Sequence, residues 1–325
     1  PSMPTPGGPY SGIWKLSDLS KYIQDGAWPD ATLERAIFSA GLSPSKTNIM
    51  DYVTIPSTGN AVDFGNLDAD LFSCGSVSNA TRGVVGGGGD APNTGVNTLQ
   101  YVTMATLGDT QDFGDLNGTR VNGPGGASNA TRGLFAGGEG PSPSYPQSNV
   151  IDYITIDTTG NATDFGDLLA TTYVLGGTAS TTRAVWGGGW NDINTIQYVT
   201  IASTGNAQDF GDMTVGRKRV GSGIQSSGTR GVFSGGESPS ATNVIDYITI
   251  ASTGNAIDFG DLTNTTSSTV GSASSTLRGL SCGMSTSTDT IDYITIASTG
   301  NAQDFGDLTV GRTYSTGMSN VHGGL

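Results

Sequence analysis

One block of sequence recurs six times, at intervals of 45–52 residues, and a chain that repeats itself at such a period has few folds open to it. The block is fullest at 298–308, Ser-Thr-Gly-Asn-Ala-Gln-Asp-Phe-Gly-Asp-Leu, and residues 203–213 repeat it with Met in the last place. Near copies follow Ser57, Thr106, Thr158 and Ser252. A Tyr keeps the same register at 52, 101, 153, 198, 247 and 293, a Phe at 64, 113, 165, 210, 259 and 305, and an Arg at 35, 82, 132, 183, 230 and 278. Asp-Phe-Gly also holds magnesium in protein kinases, but a kinase needs it once, with a strand Lys and a catalytic-loop Asp elsewhere. Six copies in register make the triplet scaffold.

Each unit reads as four β-strands. In the fullest copy, residues 220–225 (VGSGIQ) are small and polar, and 230–236 (RGVFSGG) end in a Gly pair. Residues 243–250 (NVIDYITI) are rich in β-branched side chains on both faces, as in a strand packed between sheets. A tight turn, where Gly254 supplies a positive φ, leads to the fourth strand at 256–262 (AIDFGDL). Four strands per unit match a propeller blade. The expected fold is all-β, a six-bladed β-propeller of four-stranded blades over residues 33–325. Residues 310–319 then read as an inner strand with no second strand behind it, and 35–41 (RAIFSAG) as a second strand with no first. The two complete one blade, which removes the exposed edges of an open sheet.

The order of a Gly-Arg pair, a small strand, an apolar run ending in Gly-Gly, a variable loop, a Tyr strand, a short turn and an aromatic before Leu resembles the kelch repeat. The resemblance spans residues 33–325. Phe stands where kelch blades usually carry Trp, and the Gly pair is degraded to SAG at 39–41 and SCG at 281–283, so the set is a divergent one.

Composition narrows the function. A formal charge of −14 argues against nucleic acid or an anionic membrane as partner. No run of 18 apolar residues occurs. The start, PSMPTPGGPY, lacks the basic and apolar regions of a signal peptide and begins with Pro, so a processed or partial chain is expected. Cys74 and Cys282 form neither a disulfide framework nor a metal spacing and read as buried small residues.

His322 is the only histidine, in a tail expected to fray, which makes it a poor general base and excludes metal sites built on several imidazoles. The activity of kelch-like copper oxidases does not carry over for that reason, and the S-x-D-x-G-x-T-W turns of six-bladed sialidases are absent. The six register arginines could form an anion-binding ring. Equal stoichiometry instead favours pairing with Asp63, Asp112, Asp164, Asp209, Asp258 and Asp304. Asp115, Asp167, Asp212, Asp261 and Asp307, with Asn66 in the first unit, read as turn caps rather than calcium ligands. The sequons at Asn79, Asn129 and Asn161 are copies of the repeat and follow from turn chemistry. No catalytic residue, metal or cofactor is expected.

Strands alternating in direction put the 1–2 and 3–4 loops on one face and the 2–3 and 4–1 loops on the other. The 3–4 loops are nearly constant, whereas the 2–3 loops (GGGGDAPNTGVN, GGEGPSPSYPQSN, GGGWNDIN) and the 4–1 loops (DADLF, NGTRVN, TVGRKRV) are individual. A rigid scaffold presents recognition loops in this way. Tyr145, Trp190, Asn191, Asp192, Arg217, Lys218 and Arg219 are the candidate ligand-binding residues on the individual face, with Trp190 alternatively a cover for its own Gly-rich loop. Residues 1–32 stand outside the repeat as a leader, with a short helix presenting Leu19, Tyr22 and Ile23 between Trp14 and Trp28 as a docking segment. The leader and the repeats resemble segments of tail and other structural proteins of bacteriophages, marine ones included. That resemblance implies a non-enzymatic virion protein, located on the virion surface or extracellular, docked to other subunits through its leader and facing a host surface glycan or protein. A secreted bacterial adhesin or lectin is the alternative, and a glycan-cleaving enzyme a third reading, since any two of 28 acidic residues could pair in a cleft.

Overall fold

The computed structural model describes residues 34–91, 94–284 and 288–325. Among these residues no helix forms, and six small antiparallel sheets make a β-propeller. From the axis outward the second blade is Gly75–Ser78, Arg82–Gly86, Thr94–Thr103 and Gln111–Arg120. The third is Gly125–Ser128, Arg132–Ala136, Val150–Thr155 and Thr163–Asp167; the fourth is Gly176–Ala179, Arg183–Gly187, Thr195–Thr200 and Gln208–Asp212. The sixth is Gly271–Ser274, Arg278–Cys282, Thr290–Thr295 and Gln303–Asp307. In the first blade Arg35–Ser39, Ser45–Thr54 and Val62–Leu71 take their inner strand, Thr316–Ser319, from the other end of the chain, with Ala36 opposite Ser319. The closure expected from the sequence is the one observed. The fifth blade has three regular strands, Arg230–Ser234, Thr242–Thr249 and Ile257–Thr266. Its inner segment is held by isolated bridges at Ser222, Ile224 and Ser226, because Gly223 turns to a φ of 112° in the middle of the expected strand. The leader, with Trp14, Leu19, Tyr22, Ile23 and Trp28, lies outside the described residues.

The seams between blades account for the repeated motif. In the first blade Met50 faces Gly65 and Asp51 faces Asp63, so Phe64 is an extra, bulged residue; every blade has the same slip. The bulged Phe leaves the ladder and enters the core of the seam, as Phe165 does among Val199, Ile201 and Ala207 of the next blade. The core is divided into six such clusters, each joining neighbouring blades. The Gly that follows has φ between 142° and 148°, and at Gly211 a Cβ would lie 2.4 Å from the carbonyl oxygen of Gly254. That close approach lets the Ser-Thr-Gly-Asn turn pair with the outer strand of the blade before it. Gly254 N–H donates to Phe210 O (2.7 Å), Ala256 N–H to Asp212 O (2.7 Å), and Asp212 N–H to Asn255 Oδ1 (3.1 Å). Gly59 N–H on Phe305 O (2.7 Å) repeats the bond where the ring closes. At one seam the partners are exchanged: the outer strand carries Asn66 and the turn Asp109, whose Oδ1 accepts from Asn66 N–H (2.9 Å).

The register arginines are clips across the same seams, and here the sequence expectation is corrected. None of them pairs with Asp63 or its counterparts, which are exposed on the outer strands. Each guanidinium instead lies over the Tyr of its own blade, 4.4–5.0 Å from the ring centroid. It then donates to a carbonyl at the end of the next blade's third strand: Arg82 to Ile156 O (3.2 Å), Arg183 to Ile250 O (2.9 Å), and Arg278 to Ile55 O (3.0 Å) at the closure. A carboxylate was the obvious partner from sequence, but a backbone carbonyl satisfies the cation without burying a second charge.

Six inner strands converging on one axis explain why those strands are small and polar. A Cβ on Gly126 would sit 1.9 Å from Ser76 O, and one on Gly177 1.9 Å from Gly126 O. The last residue of most inner strands is Ser, and its hydroxyl donates to the carbonyl of the same position one blade back: Ser128 to Ser78 (2.8 Å), Ser78 to Ser319 (2.7 Å), Ser319 to Ser274 (2.5 Å), Ser274 to Ser226 (3.3 Å) and Ser226 to Ala179 (2.6 Å). His322 fills the space inside this ring. Its tail is packed, not frayed: the imidazole is 1% exposed, Nε2–H donates to Ser78 O (3.0 Å), and Nδ1 accepts from Gly324 N–H (3.1 Å). Gly323 N–H adds a bond to Ser226 O (2.9 Å). Burial lowers the imidazole pKa to about 4.

Candidate functional site

The two loop sets of the individual face are stitched together as they leave the blades. In four blades the 4–1 loop runs in beside that blade's own 2–3 loop, through bridges Leu42–Thr313, Phe72–Gly89, Asn122–Glu139 and Lys218–Glu237. On the opposite face the Ser-Thr-Gly-Asn turns are used up in the seams. Sequence diversity therefore falls on the loops that carry no seam.

The candidate residues separate into three groups. Arg217 is fully buried; its guanidinium meets Asp246 Oδ2 at 2.6 Å and donates to Gly235 O (2.8 Å) and Phe233 O (3.1 Å). Burial lowers its pKa and Asp246 opposes the shift. Arg312 repeats the arrangement with Asp51 at 2.8 Å, and Arg120 with Asp152 at 3.7 Å. These side chains hold loops against blades and offer nothing to solvent. A sequence signal existed: the residue before the register Tyr is Asp in those three blades, and Gln at 100 and 197, where the preceding loop has no Arg. Asp292 is the exception, buried on Thr263 N–H (2.8 Å) and Thr263 Oγ1 (2.7 Å), and burial raises its pKa against those bonds.

Trp190, Asp192, Lys218 and Arg219 form a second group, joined by residues that sequence reasoning passed over. Tyr173 stacks on Trp190 (centroids 4.9 Å, 18° between planes), and Lys218 Nζ lies 4.7 Å from the Trp190 centroid. Arg219 reaches from Trp190 (6.0 Å) to Tyr314 (5.5 Å), Tyr314 meets the edge of Phe72 (6.1 Å), and Lys46 Nζ lies 5.5 Å from Phe72. The result is an arc of alternating rings and cations across the face. Glu237 pairs with both Lys218 and Arg219, and Asp192 lies 3.9 Å from Lys218. Tyr173 is hydrogen-bonded to Glu139, and burial first, then that carboxylate, raises its pKa. Asn191, Asp192, Arg219 and Tyr314 all have positive φ, between 55° and 68°, in a region of the backbone that side-chain-bearing residues enter at a cost.

Tyr145 forms the third group by itself. It is 37% exposed at the tip of its own turn, with its N–H on Pro141 O (3.2 Å). The faces also differ in cations. Among the described residues, the register arginines are spent in clips and Arg120, Arg217 and Arg312 in buried pairs, which leaves Lys46, Lys218 and Arg219, all on the individual face.

No protein-family model matches this chain, and no curated protein matches it. What is shown is the six-bladed propeller; the kelch-like resemblance stands on the residue pattern alone. Cys74 and Cys282 are buried free thiols, pushed up to about 12 by burial.

Proposed function

We propose that the protein is a structural component of a bacteriophage particle, on a tail fibre or other surface appendage, whose propeller shows its individual face to a host glycan, a receptor or a neighbouring subunit. The observation that carries this reading is the unequal use of the two faces. The repeated loops are consumed in building the ring, while the variable loops are braced in pairs, carry the three cations outside clips and buried pairs among the described residues, and hold the eight non-glycine residues at positive φ among them. A scaffold that spends its repetition on assembly and its diversity on one surface suits recognition. The one imidazole is locked beneath the constant face against Ser78 and Gly324, a place that suits packing rather than acid–base chemistry. The leader, on this reading, docks the propeller to its stem.

The experiment is to label purified phage particles and host cells with an antibody raised against the propeller. Labelling of a tail or surface appendage supports the proposal. Labelling confined to cells, with particles bare, overturns the virion assignment in favour of a cell-surface adhesin.

A further inference from the structure

The individual face has a cavity away from the residues singled out by sequence. It measures about 370 Å³ and lies where the first and second blades meet, lined by Leu42, Pro44, Ser45, Lys46, Asp70 and Asp90. Its walls come from three extensions: the short strand Leu42–Ser43 with its partner Ser45–Thr54, the far end of the outer strand Val62–Leu71, and the hairpin strand Gly89–Ala91. Among the described residues, the 2–3 loops of the first two blades carry such an added ladder, with Leu42 opposite Lys46 and Gly89 opposite Gly95. The added strands raise walls that give this stretch of the face its concavity.

We propose that this groove is a saccharide subsite that takes an uncharged sugar ring. The proposal rests on the reading of the individual face as the recognition surface, and names its ligand class. The lining supplies what a pyranose requires. Asp70 and Asp90 are exposed carboxylates, each able to accept hydrogen bonds from neighbouring hydroxyls, although one Asp90 oxygen also accepts from Thr94 (2.6 Å). Lys46 supplies donors; it is in no ion pair among the described residues, and its ammonium is steadied over the Phe72 ring at 5.5 Å. Leu42 and Pro44 offer apolar surface for the C–H face of the ring, and Ser45 a further hydroxyl. Two carboxylates against one ammonium make the groove net negative. That sign disfavours uronic acids and sulfated sugars and leaves neutral hydroxyls as the groups that both signs can serve. The aromatic arc is a poorer sugar platform, because Tyr173 and Lys218 already engage the Trp190 ring.

The test is binding of the full chain to immobilised oligosaccharides carrying neutral hexoses, N-acetylhexosamines, hexosamines or uronic acids, compared with Asp70→Asn, Asp90→Asn and Trp190→Ala variants of unchanged melting temperature. The expected result is binding to neutral rings, weakened at least 10-fold by each groove substitution and less than threefold by Trp190→Ala, with little dependence on salt. Neutral-sugar binding that ignores the groove variants but is lost with Trp190→Ala overturns the subsite and leaves the face reading intact. Preference for uronic acids or for hexosamines, or binding to no sugar, overturns the subsite as well. Binding insensitive to all three variants but lost on substituting exposed Thr204 and Thr253 of the constant face overturns both readings.

Discussion

The buried imidazole gives the sharpest single prediction. His322 is held neutral by geometry: Gly324 N–H points at Nδ1, so a proton there would set two N–H groups against each other, while Nε2–H is already committed to Ser78 O. Its pKa in the fold is about 4, against about 6.5 for the group in an unfolded chain. Between these values the unfolded chain takes up a proton that the folded chain refuses. Stability from this site is therefore complete above about pH 6.5 and falls by about 1.4 kcal/mol per pH unit on acidification, for a total near 3 kcal/mol at about pH 4. Asp152 and Asp292, whose pKa values are raised, act in the opposite sense, so the comparison must be with a variant that keeps them. His322→Gln retains a donor and does not titrate. Urea unfolding of both proteins should show the wild type losing about 2–3 kcal/mol relative to the variant between pH 7 and pH 4.5. The chain has one histidine, so its ring C–H resonance is a direct second readout, expected to stay at its neutral position down to about pH 5. A difference that is flat with pH, or a midpoint near 6.5, would refute the packed-tail account.

Other predictions concern the seams and buried pairs. Gly211→Ala and Gly254→Ala impose similar backbone strain, at φ 146° and 153°, but a Cβ at 211 lies 2.4 Å from Gly254 O whereas one at 254 meets nothing within 4 Å. Thermal unfolding should place Gly211→Ala at least about 2 kcal/mol below Gly254→Ala, and equal losses would contradict the seam geometry. Arg183→Met removes a donor to Ile250 O and a cation over Tyr198, for an expected loss of about 1–3 kcal/mol in the same assay, with Arg183→Lys recovering little of it. Asp246→Gln strands the buried Arg217 and should cost about 3–5 kcal/mol. Adding Arg217→Thr removes the stranded cation and gives the pair of residue types that the fourth blade carries at 172 and 197, Thr and Gln, and should restore at least half of that loss; denaturant midpoints decide it.

The ring was legible because repetition carries its own alignment. Residues 35–41 lacked a first strand, the stretch at 310–319 lacked a second, and the two could only belong together. What the sequence could not supply was which groups meet across a seam, since those partners lie one blade away. Arg183 and Asp209 look like a pair on paper, yet the guanidinium goes to a carbonyl near residue 250 and the carboxylate to solvent. Arg217, Lys218 and Arg219 all read as ligand-binding residues of the individual face, but the first points inward to Asp246 and the next two outward, a split visible only in the Asp-or-Gln choice before each Tyr. The exchange of Asn66 and Asp109 was a second such clue, one seam recorded by two departures from the repeat. His322 was misjudged because nearness to the last residue suggests fraying, while most of the wall of the hole it fills, at Ser78, Ser128 and Ser226, comes from blades far from it in sequence. The groove at Lys46, Asp70 and Asp90 was passed over because its walls are added strands on two blades, which no repeat position marks.

The measurement that bears most directly on the division between a constant, ring-building face and an individual, recognising one is an image reconstruction of the native assembly with its bound partner. The account predicts that, beyond the leader, contacts fall on the loops around Lys46, Asp70, Trp190 and Lys218. Contacts made through the Ser-Thr-Gly-Asn turns, with those loops left bare, would contradict it.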